Sequence, residues 1–514
     1  MSRSRQIIQA TAVVTVIVLM VKGLGFVEKV LLAYFFGTGI AVDAYLIAYG
    51  LPFSAYVVLR EVIKASFLPT FLRTWQDSRP RAWLLFSVVG TVLLILLSAA
   101  TICGMAFAEQ LVALTAPGFR GAQRELAVRL TRMVMPALLF LGMSTLTTAT
   151  LNAWKRFSRP ALGDASFRAG PLIFLLGAGT VVAMAAGVVL GAMGKLVIET
   201  LGIGRHLRSL RPSLNLRLTE ARTVGRLAAP LLAGLFFSLL VAPVVENAFA
   251  STTGVGGVSA LAYSRKIVET LAAILPYTLG LVLLPFSSEM AADQDYEGLA
   301  AMLTSAIRAL TLIFLPVTIG LMVFREPFVQ VLFQRGAFDA ASTQLTAGPL
   351  FFYALALLPF ALEVIIIQFF FARQDTLTPV ITDVAAFLLN VALIAPLMAA
   401  FGLGGIALAA ALARSARVLA LLFLFGRKVP AFRLLSMAPF AGQMAVAGSA
   451  TAGALVGLAL LVGGLDIEGF VALLAYLMIA AVVASAVFVG ATYLLNVEEI
   501  RDLRRRARAW RSTG

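Results

Sequence analysis

Four charged residues, Lys22, Glu28, Lys29 and Asp43, interrupt the apolar stretch MVKGLGFVEKVLLAYFFGTGIAVDAYLIAYGLP that runs from Met20 to Pro52. A bilayer core penalises each ionised side chain, so charges retained there mark either a ligand pathway or buried pairs. Lys22 and Lys29 stand seven residues apart and share a helix face. Arg60 and Lys64 stand four apart with Glu61 beside them, and Arg265 and Lys266 precede Glu269, which Arg265 reaches at the i,i+4 spacing. Cations outnumber anions in this set. Helices turning these faces toward a shared water-filled cavity would select an anion, and phosphate suits converging Lys and Arg best. The bland alternative is self-neutralising pairs that lock helices together. Asp164/Arg168 and Lys195/Glu199, both at i,i+4, are read that way.

A second group lies later in the chain. Glu246, Glu363 and Asp383 sit within apolar stretches, where transporters place proton or cation sites. Asp383 with Asn390 on the same helix, facing Glu246, would make an oxygen-ligand pocket for Na⁺; neutral hydrogen-bonded carboxyls are the alternative. Cys103 and His206 are each alone, which leaves no disulfide framework and no Cys/His metal site. Cys103 is expected to be a buried small hydrophobe and His206 a solvated loop residue. No nucleophile–base set and no G-x-x-x-x-G-K-[ST] loop is visible, which argues against an enzyme, a cofactor, or ATP use within this chain.

These residues must be positioned by membrane helices. The chain has 514 residues, 61% hydrophobic and 13% charged, far from the soluble range. Its net charge of +16 falls mostly in short loops between apolar segments, where it sets topology and does not imply nucleic acid. Apolar stretches predict an all-α integral membrane protein with about 14 spans. They lie near 7–36, 40–72, 83–115, 125–154, 160–181, 182–204, 220–250, 256–290, 297–324, 341–372, 377–400, 403–426, 437–463 and 467–495. The run from Ile7 lacks a small-residue cleavage site and reads as a helix, not a removable signal. The positive-inside bias, with the tail RDLRRRARAWR from Arg501, puts both termini in the cytoplasm. That tail is read as a topology anchor that touches anionic lipid. Gly187-x-x-x-Gly191 and Gly453-x-x-x-Gly457 allow close helix packing.

The chain also repeats itself. DAYLIAYGLP from Asp43 echoes SALAYSRK from Ser259, FLPTF echoes LLPFSS, and NAWKRFSRPAL from Asn152 echoes FFARQDTLTPVI, all at an offset of roughly 216 to 219 residues. An offset of six helices gives two six-helix lobes of one orientation, a parallel repeat. The expected organisation is a lobe at 1–215, a lobe at 216–432, two accessory helices at 433–496 and a basic tail at 497–514.

The stretches GLGFVEKVLLAYFFGTGIAVDAYLIAYGLP, TAPGF, LNAWKRFSRPAL, LLPFSS, LFQRGAF and FFARQDTLTPV, in order along the chain, resemble the lipid II flippase family (MurJ, also called MviN). The resemblance implies a fourteen-helix, two-lobe protein of the bacterial inner membrane that moves undecaprenyl-pyrophosphate-linked muropeptide outward by alternating access. The last two helices would then form a groove for the lipid tail. The partners it implies are lipid II and membrane lipids, with Na⁺ or H⁺ as the coupling ion, in a monomer. The chain departs from the family where Lys22 and Glu28 stand at arginine positions, where Tyr56 stands near another, with Arg60 one turn later, and where Lys266 replaces an arginine. Asp43 keeps the family's acidic residue. Lys offers a point charge where Arg offers a fork. Two other functions stay open on these residues: a flippase for another polyprenyl-linked glycan, and a non-transporting scaffold of wall synthesis.

Overall fold

Runs of Leu, Ala, Val and Phe, punctuated by Gly and Pro, fold as helices throughout the computed structural model, which describes residues 23–204, 206, 211–463, 469–499 and 501. Helices satisfy every backbone N–H and C=O within the segment, which lipid requires. Among the described residues no strand occurs.

The chain divides into two compact units, Met1–Ser259 with Arg335–Phe338, and Ala260–Gln334 with Asp339–Gly514. The first contains α1 (23–36), α2 (Ile40–Asp77), α3 (Arg79–Ala106), α4 (Ala108–Thr115), α5 (Gly121–Val134), α6 (Pro136–Ala153), α7 (Ser158–Ala178), α8 (Val181–Ile203), α9 (Thr219–Leu235) and α10 (Ala242–Ser251). Helix α11 (Gly257–Ala292) begins in the first unit and continues in the second. The second goes on with α12 (Tyr296–Val323), α13 (Arg325–Phe333), α14 (Ala340–Leu355), α15 (Leu357–Ala372), α16 (Leu377–Phe401), α17 (Leu403–Lys428), α18 (Ala438–Val462) and α19 (Phe470–Leu494).

Among the described residues nine helices are long and apolar enough to cross a membrane. The bent pair α14 and α15, 43° apart, makes ten. The other four expected spans differ for particular reasons. The stretch 7–36 begins outside the described residues. That at 160–181 is α7, whose Asp164 and Arg168 lower its hydropathy. That at 220–250 is divided after α9 by a π-helical segment, Phe236–Val241. The stretch 256–290 is α11, which carries Arg265, Lys266 and Glu269.

In the first unit, aromatic side chains from α2 and α3, among them Phe67, Phe71, Trp83 and Phe86, pack with Leu138 and Leu146 of α6 into one core. His206 stacks on Trp83 with ring centroids 5.1 Å apart, so the lone histidine joins this aromatic group at its exposed edge and is not merely solvated. In the second unit, α18 and α19 pack on α12 through Phe440, Met444, Phe488, Leu312 and Leu315. Cys103 is exposed on α3, beside the exposed Ile102 and Met105, so it lies on an outward apolar face and not in the core.

The two glycine spacings part company. A Cβ at Gly187 would stand 2.6 Å from the carbonyl oxygen of Gly170, so α7 and α8 touch backbone to backbone. At Gly453 and Gly457 no described atom lies within 4 Å of such a Cβ.

Both units contain the same unusual turn. Lys155 and Gln374 each take a left-handed conformation, φ 60° and 59°. In each, the next amide returns to a carbonyl five residues back, Arg156 to Leu151 and Asp375 to Phe370, both at 2.9 Å. The turns occupy equivalent places in the sequence repeat.

Candidate functional site

Charges at bilayer depth are the features of this molecule that lipid alone does not explain, and each unit gathers them on its own helices. In the first unit, Lys195 of α8 is buried between two carboxylates. Its Nζ lies 2.7 Å from Asp164 Oδ1 on α7 and 2.6 Å from Glu199 Oε1 one turn later on α8. Thr147 and Thr148 of α6 donate to the two Glu199 oxygens at 2.6 and 2.9 Å. One ammonium thus serves two acids, and hydroxyls complete the less exposed one. The expected Lys195/Glu199 pair is present.

The expected Asp164/Arg168 pair is replaced. Asp164 turns to Lys195, and Arg168 Nη1 reaches Glu28 Oε2 of α1 at 3.4 Å. The ring of Phe53 lies 5.4 Å from the Arg168 guanidinium carbon and that of Phe167 5.7 Å, so two aromatic faces and one carboxylate hold it. Buried Glu28 gains a cation that a pair within α7 would have withheld from it.

The other predicted residues of this unit stand as follows. Arg60 and Lys64 both lean on Glu61 of the same helix, at 3.2 and 4.0 Å, and keep exposed side chains. Lys29 is partly buried on α1. Asp43 is fully buried. It accepts from the Gly256 and Ser259 amides at 2.7 and 2.8 Å and from Gln123 Nε2 at 3.3 Å. Its carboxylate therefore caps the first turn of α11, where the helix dipole favours a negative charge. Glu246 is buried on α10. Lys22 lies outside the described residues, as does the arginine-rich tail beyond Arg501.

In the second unit, Arg265 faces Glu269 at 3.8 Å, the predicted pair, and Lys266 is partly buried beside it. Asp383 of α16 lies 2.6 Å from Arg417 Nη1 of α17. The same guanidinium pairs with buried Glu363 of α15 and donates to the Pro379 carbonyl at 3.1 Å. Arg414 reaches the other Glu363 oxygen at 3.0 Å and lies 4.4 Å above the Phe360 ring. Asp383 is thus engaged by an arginine, and Asn390 lies buried two turns further along α16. Among the described residues no group of three or more His, Cys, Asp or Glu is placed to hold a metal ion.

Arg414 and Arg417 did not stand out in the sequence, yet a signal was there. Shifted by 219 residues, Asp164 and Lys195 fall on Asp383 and Arg414. Among the described residues each unit has a charged cluster that links three successive helices, α6 to α8 and α15 to α17.

Comparison with known proteins places this arrangement in a family. The model of the family described as "Lipid II flippase MurJ" matches residues 32–485. The lipid II flippase MurJ of Burkholderia cenocepacia is 28% identical over 372 residues, spanning 69% of this chain and 71% of the relative. The solved structure of a lipid II flippase MurJ in an inward closed conformation covers 93% of this chain and 98% of its own, with a TM-score of 0.77 at 20% identity. An inward-facing multidrug resistance transporter of the MATE family follows, with a TM-score of 0.69 at 16% identity, covering 80% of this chain and 94% of its own. Likeness at these identities establishes the fold.

Proposed function

We propose that this chain, which belongs to the lipid II flippase MurJ family, moves lipid II across the bacterial inner membrane. The observation that carries this is the family match over residues 32–485, which takes in helices of both units. Cations retained on membrane helices support it, because a diphosphate-bearing cargo needs donors that lipid does not supply.

In this mechanism the side chains that contact the pyrophosphate are Lys22, Lys29, Arg60, Lys64, Arg265 and Lys266. Glu28 acts through Arg168, which it holds against Phe53 and Phe167. Asp43 acts by fixing the backbone at Gly256 and Ser259. Transport runs by alternating access in a monomer with both termini in the cytoplasm, and the two C-terminal helices carry the lipid tail. Na⁺ or H⁺ taken up at Glu246, Asp383 and Asn390 resets the protein. Organisation into lobes at 1–215 and 216–432 belongs to the same proposal.

Reconstitution tests it. In vesicles holding lipid II in one leaflet, the parent chain should expose it in the other, and an imposed Na⁺ or proton gradient should change the rate. Lys22→Ala or Lys266→Ala should slow exposure at least about tenfold, the effect of losing one charge-assisted hydrogen bond. Equal rates for parent, variants and protein-free vesicles would refute the proposal.

A further inference from the structure

A cavity of about 690 Å³ with a mixed polar and apolar lining opens in the first unit at the end of α2, the start of α3 and the start of α9, away from the clusters described above. Three arginines line it, Arg73, Arg81 and Arg217, against two carboxylates, Asp77 and Glu220. Among the described residues none of these guanidinium groups lies within ion-pair distance of a carboxylate. Two helices begin at the cavity without a side-chain cap, α3 after Ser78 and α9 after Leu218. Their first amides add positive potential to the arginines. The walls then change character, since Leu84 and Leu227 line the same cavity and both are exposed.

The setting suits the headgroup level. Trp75 and Trp83 meet edge to face 6.0 Å apart beside the cavity, and Arg79 lies over the Trp75 ring at 5.4 Å. Tryptophan and arginine together mark the level where hydrocarbon gives way to headgroups. A basic recess between helices at that level, with an apolar exit, has the chemistry of a phosphodiester with acyl chains attached. A free phosphate would have no use for the leucines.

We propose that this cavity is a binding site for the headgroup of an anionic phospholipid, with Arg73, Arg81 and Arg217 on its phosphate and the acyl chains leaving over Leu84 and Leu227. The site is separate from the cations assigned to transport, and its occupancy does not depend on lipid II.

The test uses the full chain in detergent micelles, titrated with short-chain phosphatidylglycerol or phosphatidylcholine and followed by native mass spectrometry. The parent should prefer phosphatidylglycerol. Arg73→Gln with Arg217→Gln should weaken that binding about tenfold or more, since each basic residue at a membrane surface is worth roughly a fivefold attraction. Arg73→Lys with Arg217→Lys should retain most of it, which separates loss of charge from loss of fold. Arg427→Gln with Arg433→Gln, which removes the same charge elsewhere, should leave it unchanged. Equal binding of the two lipids, equal weakening by both Gln pairs, or displacement by millimolar inorganic phosphate would each overturn the proposal.

Discussion

The charged cluster of the first unit and that of the second occupy equivalent helices, yet they solve the problem of buried charge differently. In the first, one lysine stands between two acids, and threonine hydroxyls supply the remaining donors to Glu199. In the second, two arginines face two acids, and each Glu363 oxygen has its own guanidinium. In the first, α8 adds an acid, Glu199, and α6 supplies hydroxyls; in the second, α17 adds a second base, Arg417, and α15 supplies the carboxylate of Glu363. Both clusters join three successive helices by charge, α6 to α8 in the first unit and α15 to α17 in the second, with a different balance of signs. A cluster with a single cation is the more fragile of the two, because losing it leaves the buried Glu199 carboxylate with hydroxyl donors alone.

That asymmetry can be broken experimentally. Lys195→Met should destabilise the protein by about 3–5 kcal/mol, the usual result of removing one partner from a buried ionic set. Arg414→Met should lose less, on the order of 2 kcal/mol, because Arg417 still bridges Glu363 and Asp383. Thermal unfolding in nanodiscs measures both, and equal losses would remove the distinction. Helix contacts offer a second contrast. Gly187→Ala forces α7 from α8 and should cost about 1–3 kcal/mol, whereas Gly453→Ala meets open space and should stay within about 0.5 kcal/mol.

The smallest effect sharpens the comparison at the twin turns. After α15, burial disfavours ionisation of Asp375, but the Lys428 ammonium and the Thr378 amide and hydroxyl outweigh it and hold the carboxyl below its usual range. A carboxyl depressed in the folded state adds stability above its unfolded value, near about pH 4, and that stability fades as pH falls through the folded value. The twin turn after α6 has Arg156, which donates to the Gly202 carbonyl at 3.1 Å. Asp375→Asn should therefore flatten the acid side of the stability profile by less than about 1 kcal/mol. Arg156→Gln should leave its shape unchanged. A profile that is the same for Asp375→Asn and parent would show that this carboxyl contributes nothing.

Much of the architecture was legible in the chain. Apolar length marks spanning helices because lipid leaves the backbone few alternatives, and two segments matched by the repeat, from Asn152 and from Phe370, hold the twin turns. Charge pairs within one helix were legible, as Lys195/Glu199 and Arg265/Glu269 are, but pairs between helices were not. Arg168 stands four residues from Asp164 but chooses Glu28, 140 residues away, since only the folded helices bring that carboxylate within reach. Lys195 likewise finds Asp164 on a neighbouring helix. Asp43 read as one charge of the candidate site; its shortest hydrogen bonds come from backbone amides, which no pattern of side chains reveals. Cys103 misled because small apolar residues in a membrane helix face lipid as readily as protein.

The most direct test of transport is complementation. The chain, with Lys22→Ala and Lys266→Ala versions, is expressed in bacteria depleted of their own lipid II flippase, and survival and lipid II accumulation are followed. The parent should restore growth and clear the accumulated lipid II, and the alanine versions should not. A well-inserted parent that leaves lipid II accumulating would contradict lipid II transport by this chain.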